Sequence, residues 1–133
     1  GNLGTMIRTA KSLGIDNIIC SDEITDFYNP NVIRASIGHL FSMNIISDSI
    51  PKVIELLTNN DYQVILLDPD AEKLIDDFKP EKNFALVIGS EQYGISDDWK
   101  NMNHENLKIK SENDVDSINA SAAAAIAMWE LTK

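Results

Sequence analysis

Three short stretches of this chain gather residue types that can do chemistry. The first, Gly1-Asn2-Leu3-Gly4-Thr5-Met6-Ile7-Arg8, combines two glycines, an amide and a guanidinium. Glycine frees the backbone and asparagine is a favoured helix cap, so Asn2 is expected to cap a helix that carries Arg8 one to two turns in. A guanidinium held there offers a planar fork for a phosphate, although a lone helical arginine is ordinarily a surface residue. The second stretch, Ile88-Gly89-Ser90-Glu91-Gln92-Tyr93-Gly94, follows the apolar run Phe84 to Ile88. A glycine and a carboxylate just past a buried strand stand where open α/β sheets bind ligands. The plainer alternative makes Gly89 and Gly94 turn formers and Glu91 a cap. In the third stretch, Ser117, Asn119 and Ser121 crowd the entry to an alanine-rich segment. Capping accounts for one or two of those three polar residues, not for their density.

Other chemistries find less support. The sequence has neither a dinucleotide-type glycine pattern nor a phosphate-loop spacing. His39 and His104 have no carboxylate or cysteine at metal-ligand spacing, so both are read as structural and no metal is expected. Cys20 is the single cysteine, which excludes an intramolecular disulfide and suits a reducing, cytoplasmic setting; in an apolar strand it is expected to be a buried small hydrophobe. Tyr93 and Trp99 can stack on a base or pack in a core. The formal net charge of −10 favours solubility and repels phosphate backbones at long range, so this chain does not supply an electrostatic grip on a nucleic acid. The longest apolar run, Ala122 to Trp129, falls far short of the roughly 20 residues that span a bilayer, and no membrane partner is expected.

These stretches must be positioned by regular elements. Met6, Ile7, Ala10 and Leu13 recur at helical spacing, and Gly14 stands where a left-handed cap belongs. Ile18 to Cys20 reads as a strand, Asn29 to Asn31 as a turn, and Arg34 to Phe41 as a helix. Asn44 to Ile46 is the next strand. Ser49 is placed to cap a helix with Pro51 in its first turn, Val53, Ile54 and Leu57 facing inward, and Asn59 and Asn60 ending it. Val64 to Leu67 is a buried strand, and Asp70 opens a short helix through Leu74, Ile75 and Phe78. Phe84 to Ile88 and Leu107 to Lys110 are further strands, and Ser117 to Leu131 is the last helix. No repeat, linker or low-complexity tract divides these 133 residues, so one folding unit is expected. Continuous apolar strands between helices imply an α/β fold with a mostly parallel sheet covered by helices on both faces. Gly1, Asn2 and Gly4 look like a loop feeding a helix N-terminus, yet no strand precedes them, so the chain is expected to be truncated at its N-terminus.

Taken together and in this order, the three stretches resemble the motifs of the SpoU family, TrmH-like RNA ribose 2′-O-methyltransferases of the SPOUT superfamily. The first motif is similar to Asn2-x-Gly4 with Arg8 following. The second is similar to Gly89-x-Glu91-x-x-Gly94, and the third to Ile109 followed by Ser117-Ile118-Asn119-x-Ser121. The segment Arg34-Ala35-Ser36-Ile37-Gly38-His39-Leu40-Phe41 also resembles a family segment. The chain departs from the family pattern at Lys110-Ser111, Asn113 and Gln92. The resemblance implies that residues 1–133 are an S-adenosylmethionine-dependent methyltransferase domain with a C-terminal deep trefoil knot. It implies that Leu67, Ile88, Gly89, Ile109, Ser117 and Ile118 hold the methyl donor. The site that acts on the ribose 2′-hydroxyl of ribosomal or transfer RNA would be Arg8, Asn2, Glu91, Ser117 and Asn119. In that site Arg8 meets the phosphate, Ser117 and Asn119 position the nucleotide, and Glu91 steadies Asn2 or Arg8. A homodimer is implied as well. Two alternatives stay open: a relative of the same fold that binds RNA or cofactor without transferring a methyl, and an α/β nucleotide enzyme of unrelated chemistry.

Overall fold

The computed structural model describes residues 2–21, 30–90, 93–112 and 119–133, with the side chains of Asn2, Leu40 and Phe41 outside that set. The residues form two compact units, Gly1–Ser49 and Ile50–Lys133.

The first unit opens with α1 (Asn2–Ser12), whose apolar spacing puts Ile7 and Ala10 inside. Its end is the Schellman arrangement that the sequence forecasts. The Gly14 amide donates to the Lys11 carbonyl at 3.1 Å and the Ile15 amide to that of Ala10 at 2.9 Å, with Gly14 left-handed at φ 81°. The helix also starts earlier than expected, and this corrects the reading of its first residues as a loop. Gly4 lies inside α1, where a Cβ would stand 2.5 Å from that of Ala35 and 2.7 Å from the Val32 carbonyl oxygen. Gly4 therefore serves the close approach of α2 (Pro30–Ala35). Two parallel strands, β1 (Asn17–Cys20) and β2 (Asn44–Ser47), pair from Asn17 with Asn44 to Cys20 with Ser47. Cys20 is half-buried rather than fully buried. The helix expected over Arg34 to Phe41 is also corrected. The chain breaks after Ala35, where Ile37 and Gly38 are both left-handed at φ 55° and 78°, and resumes as a 3-10 turn at His39–Ser42. Ser36, fully buried, holds the break by donating its hydroxyl to the Ile33 carbonyl at 2.9 Å. Of the turn expected at Asn29 to Asn31, Asn29 lies outside the described residues.

The second unit runs α3 (Ile50–Asn59), β3 (Gln63–Leu67), β4 (Lys73–Leu74), a 3-10 turn (Ile75–Asp77), β5 (Phe84–Ile88), α4 (Asp97–Lys100), β6 (Glu105–Lys108) and α5 (Ala120–Thr132). As expected, Val53 and Leu57 of α3 are buried. The strands lie in the order β4-β6-β3-β5, all parallel, so β6 sits between β4 and β3 although both precede it in the chain. Val64, Ile65 and Leu66 are buried, as a strand covered on both faces requires. Ile65, Ile75, Leu107, Ala127 and Leu131 make the core, with Leu67, Phe84, Leu86 and Ile109 packed against it. The expected helix from Asp70 is overturned, because Leu74 is extended (φ −80°, ψ 142°) and pairs with Lys108 of β6, leaving only one 3-10 turn behind it. The last strand begins two residues earlier than Leu107, and α4 was not anticipated.

Candidate active site

Parallel pairing sets the candidate donor residues side by side. Leu67 is paired with Ile88 on one side and with Leu107 on the other, so the ends of β5, β3 and β6 deliver Ile88 and Gly89, Leu67, and Ile109 to one edge of the sheet. This is the carboxyl edge, where ligands of open α/β sheets bind. Leu67, Ile88, Gly89 and Ile109 are all half-buried, and Leu67 and Ile109 rest on the core. They provide an apolar floor at that edge, the kind of surface that can receive a nucleoside.

The glycines of the second stretch have a specific cause. A Cβ on Gly89 would stand 2.4 Å from the Gly94 carbonyl carbon and 2.6 Å from the Ile95 nitrogen. The loop closes on itself through paired backbone bonds between Ser90 and Gly94, at 2.9 and 3.2 Å, and through the Ser90 hydroxyl, which accepts the Tyr93 amide at 2.9 Å. Gly94 is left-handed at φ 68°. The reading of Gly94 as a turn former therefore holds, while Gly89 is required by the close approach of Gly94 at the candidate edge. Of the two aromatics, Trp99 is buried in α4 while Tyr93 is 82% exposed.

Asn119 caps α5. Its amide oxygen accepts from the backbone of Ser121 at 2.9 Å and of Ala122 at 3.2 Å, and from the Ser121 hydroxyl at 2.6 Å. The oxygen is thus committed to the helix, and only the NH2 end is left to face a nucleotide. Arg8 is exposed on α1 in the first unit, and its carbonyl accepts the Ser12 hydroxyl at 2.8 Å. Glu91, Ser117 and Ile118, and the side chain of Asn2, lie outside the described residues. Beyond the floor, Lys110 forms an exposed ion pair with Glu112 at 3.2 Å.

Two residues at this edge escaped sequence reasoning. Asp68, directly after β3, accepts the Asp70 amide at 2.9 Å and the Asn106 side-chain amide at 3.2 Å, while its own amide donates to the Leu107 carbonyl. Asn106 in turn holds a buried Oδ1 with no hydrogen-bond partner. A polar residue inside a short strand and an aspartate ending a buried one were the available signals. A polar groove lined by Tyr62, Gln63, Glu81, Lys82, His104 and Glu105 lies at the opposite ends of β3 and β6. The His104 Nδ1 there is 2.7 Å from the Met102 carbonyl, consistent with a structural histidine. Among the described residues no cluster of histidine, cysteine and carboxylate could hold a metal, and no helix is long and apolar enough to cross a membrane.

Comparison with known proteins matches this architecture. The model of the SpoU rRNA Methylase family matches residues 1–129. The chain is 28% identical over 131 residues to the 23S rRNA (guanosine(2553)-2′-O)-methyltransferase of Bacillus subtilis, covering 98% of this chain and 53% of that protein. It is 29% identical over 133 residues to the 23S rRNA (adenosine(1067)-2′-O)-methyltransferase of Streptomyces azureus, covering 98% and 49%. Among solved structures, the SpoU methyltransferase AviRb from Streptomyces viridochromogenes, in complex with the cofactor AdoMet, superposes with a TM-score of 0.90 at 27% identity, over 97% of this chain and 53% of that one. The chain spans about half the length of the curated relatives it matches.

Proposed function

The chain belongs to the SpoU rRNA methylase family, and from that premise we propose that residues 1–133 are the domain that transfers a methyl group from S-adenosylmethionine to the 2′-hydroxyl of a ribose in ribosomal or transfer RNA. The observation that carries this reading is the convergence of Leu67, Ile88, Gly89 and Ile109 at the carboxyl edge of three adjacent parallel strands. That half-buried apolar floor fits an adenosine, and the Gly89–Gly94 contact leaves no room for a side chain that would disturb the loop beside it. Ser117 and Ile118 complete the donor site. The names of relatives add support, since three of them are called 23S rRNA 2′-O-methyltransferases, and AviRb was crystallised with the donor. The insertion of β6 between the earlier strands β4 and β3 supports a knotted C-terminal segment of the SPOUT kind.

The bound donor supplies an electrophilic methyl on a sulfonium; the protein must align and activate a poor nucleophile. Arg8 holds the nucleotide's phosphate and stabilises charge near the hydroxyl, a role that suits a guanidinium better than that of a base. Asn119, through its NH2 end, and Ser117 orient the ribose, and Asn2 and Glu91 are further candidate residues of the site. No metal takes part. The domain acts in the cytoplasm as a homodimer.

Calorimetry of the full-length protein with S-adenosylmethionine, followed by transfer of labelled methyl to protein-free 23S rRNA and to bulk tRNA, tests the proposal. The expected result is donor binding together with label in ribose 2′-O-methyl nucleotides. Donor binding without transfer to any RNA identifies a catalytically impaired relative. Binding of neither donor nor RNA ends the reading.

A further inference from the structure

The most exposed large apolar side chain among the described residues is Tyr93, at 82%. Its amide is bound by the Ser90 hydroxyl, the next residue is a left-handed glycine, and Ser90 and Gly94 exchange backbone hydrogen bonds. The loop folds Gly94 back onto Gly89, so Tyr93 is tied within a residue to the edge where Ile88 and Gly89 meet Leu67. Exposing an aromatic ring forgoes its burial, which a purely structural role would not favour. The contrast with Trp99, six residues on and buried, sharpens the point: the local sequence places one aromatic in the core and holds the other out.

We propose that Tyr93 is a substrate-contacting residue whose ring stacks on a base of the RNA presented to the methyl-donor site. The inference rests on the proposed function and deepens it. The chain's charge favours stacking as the mode of contact. At a net charge of −10 the long-range field opposes phosphates, and Lys11, Lys73, Lys82, Lys110 and Lys133 are each already within 4 Å of a carboxylate. Base stacking needs no charge and is tolerant of sequence, so it adds attraction beyond the phosphate contact proposed for Arg8.

The test compares the full-length wild-type protein with Tyr93→Ala and Tyr93→Phe, using protein-free 23S rRNA as the probe at two salt concentrations and calorimetry with S-adenosylmethionine as the control. Tyr93→Ala is expected to weaken RNA binding by about an order of magnitude, equally at both salt concentrations because no ion pair is lost. Tyr93→Phe should bind as the wild type does, and donor affinity should be the same for all three. Unchanged RNA binding by Tyr93→Ala overturns the proposal. So does an equal loss of donor affinity, or a change of oligomeric state by sedimentation, which would make Tyr93 part of the donor pocket or of a subunit contact. If the wild type binds donor but not this RNA, stacking falls while donor binding stands; if it binds neither, both readings fall.

Discussion

Arg8 and Asn119 are the two proposed catalytic residues whose side chains are described, and the structure gives them different degrees of freedom. Arg8 is exposed with no partner for its guanidinium among the described residues, so its replacement should leave the fold intact. Arg8→Ala and Arg8→Lys are each expected to cut methyl transfer at least tenfold, about 1.4 kcal/mol in barrier, with donor affinity near normal by calorimetry. Full transfer by the lysine variant would remove the phosphate-fork role. Asn119 does two jobs at once, since its oxygen caps α5 whatever its NH2 end does. Asn119→Ala should therefore lose about 1 kcal/mol of stability as well as activity. Asn119→Asp keeps a cap oxygen but loses the NH2 group, so urea unfolding should show near wild-type stability while transfer still falls. If the aspartate variant restores transfer along with stability, Asn119 is a cap alone.

At the level of elements, the parallel sheet and most helices were legible because burial leaves a direct mark: Val64 to Leu67 and Phe84 to Ile88 are unbroken apolar runs, and Gly14 ends α1 where its type predicts. What was not legible depended on contacts distant in sequence. Lys73 and Leu74 look helical in isolation, but the chain extends there because β6, more than thirty residues later, offers an open edge. Gly4 read as a loop glycine because nothing local reveals that Ala35 and Val32 crowd it. Of the candidate floor, Gly89 was legible from its place past a buried strand and Leu67 and Ile109 through the motif resemblance, whereas Asp68 and Asn106 carried no motif and required the register of β3 against β6. The break after α2 is the sharpest local conflict, because Ile37 is β-branched, left-handed and 61% exposed. Such a residue strains the backbone there by roughly 1 to 3 kcal/mol and gains little from burial. Ile37→Asn, which tolerates that conformation, is expected to stabilise the protein by about 1 kcal/mol, read as a higher urea midpoint with an unchanged slope. A lower midpoint would mean that the Ile37 side chain contributes packing that outweighs its strain.

For the whole molecule the proposed homodimer has a physical candidate in α5. Its inward residues Ala124, Ala127, Met128 and Leu131 are buried, and Ala127 and Leu131 join the core of the second unit. Ala122, Ile126 and Trp129, at successive spacings of four and three, remain exposed on another face, with Trp129 at 58% and Ile126 at 44%. A helix apolar on two faces is one that ordinarily buries both, and a tryptophan at the centre of a subunit contact is a typical anchor. Trp129→Glu places a charge on that face without touching the core side, so the monomer should keep its unfolding midpoint at low concentration. By sedimentation equilibrium the variant is expected to be monomeric at concentrations where the wild type is a dimer. If a dimeric wild type is matched by an equally dimeric Trp129→Glu, the subunits pair through another surface.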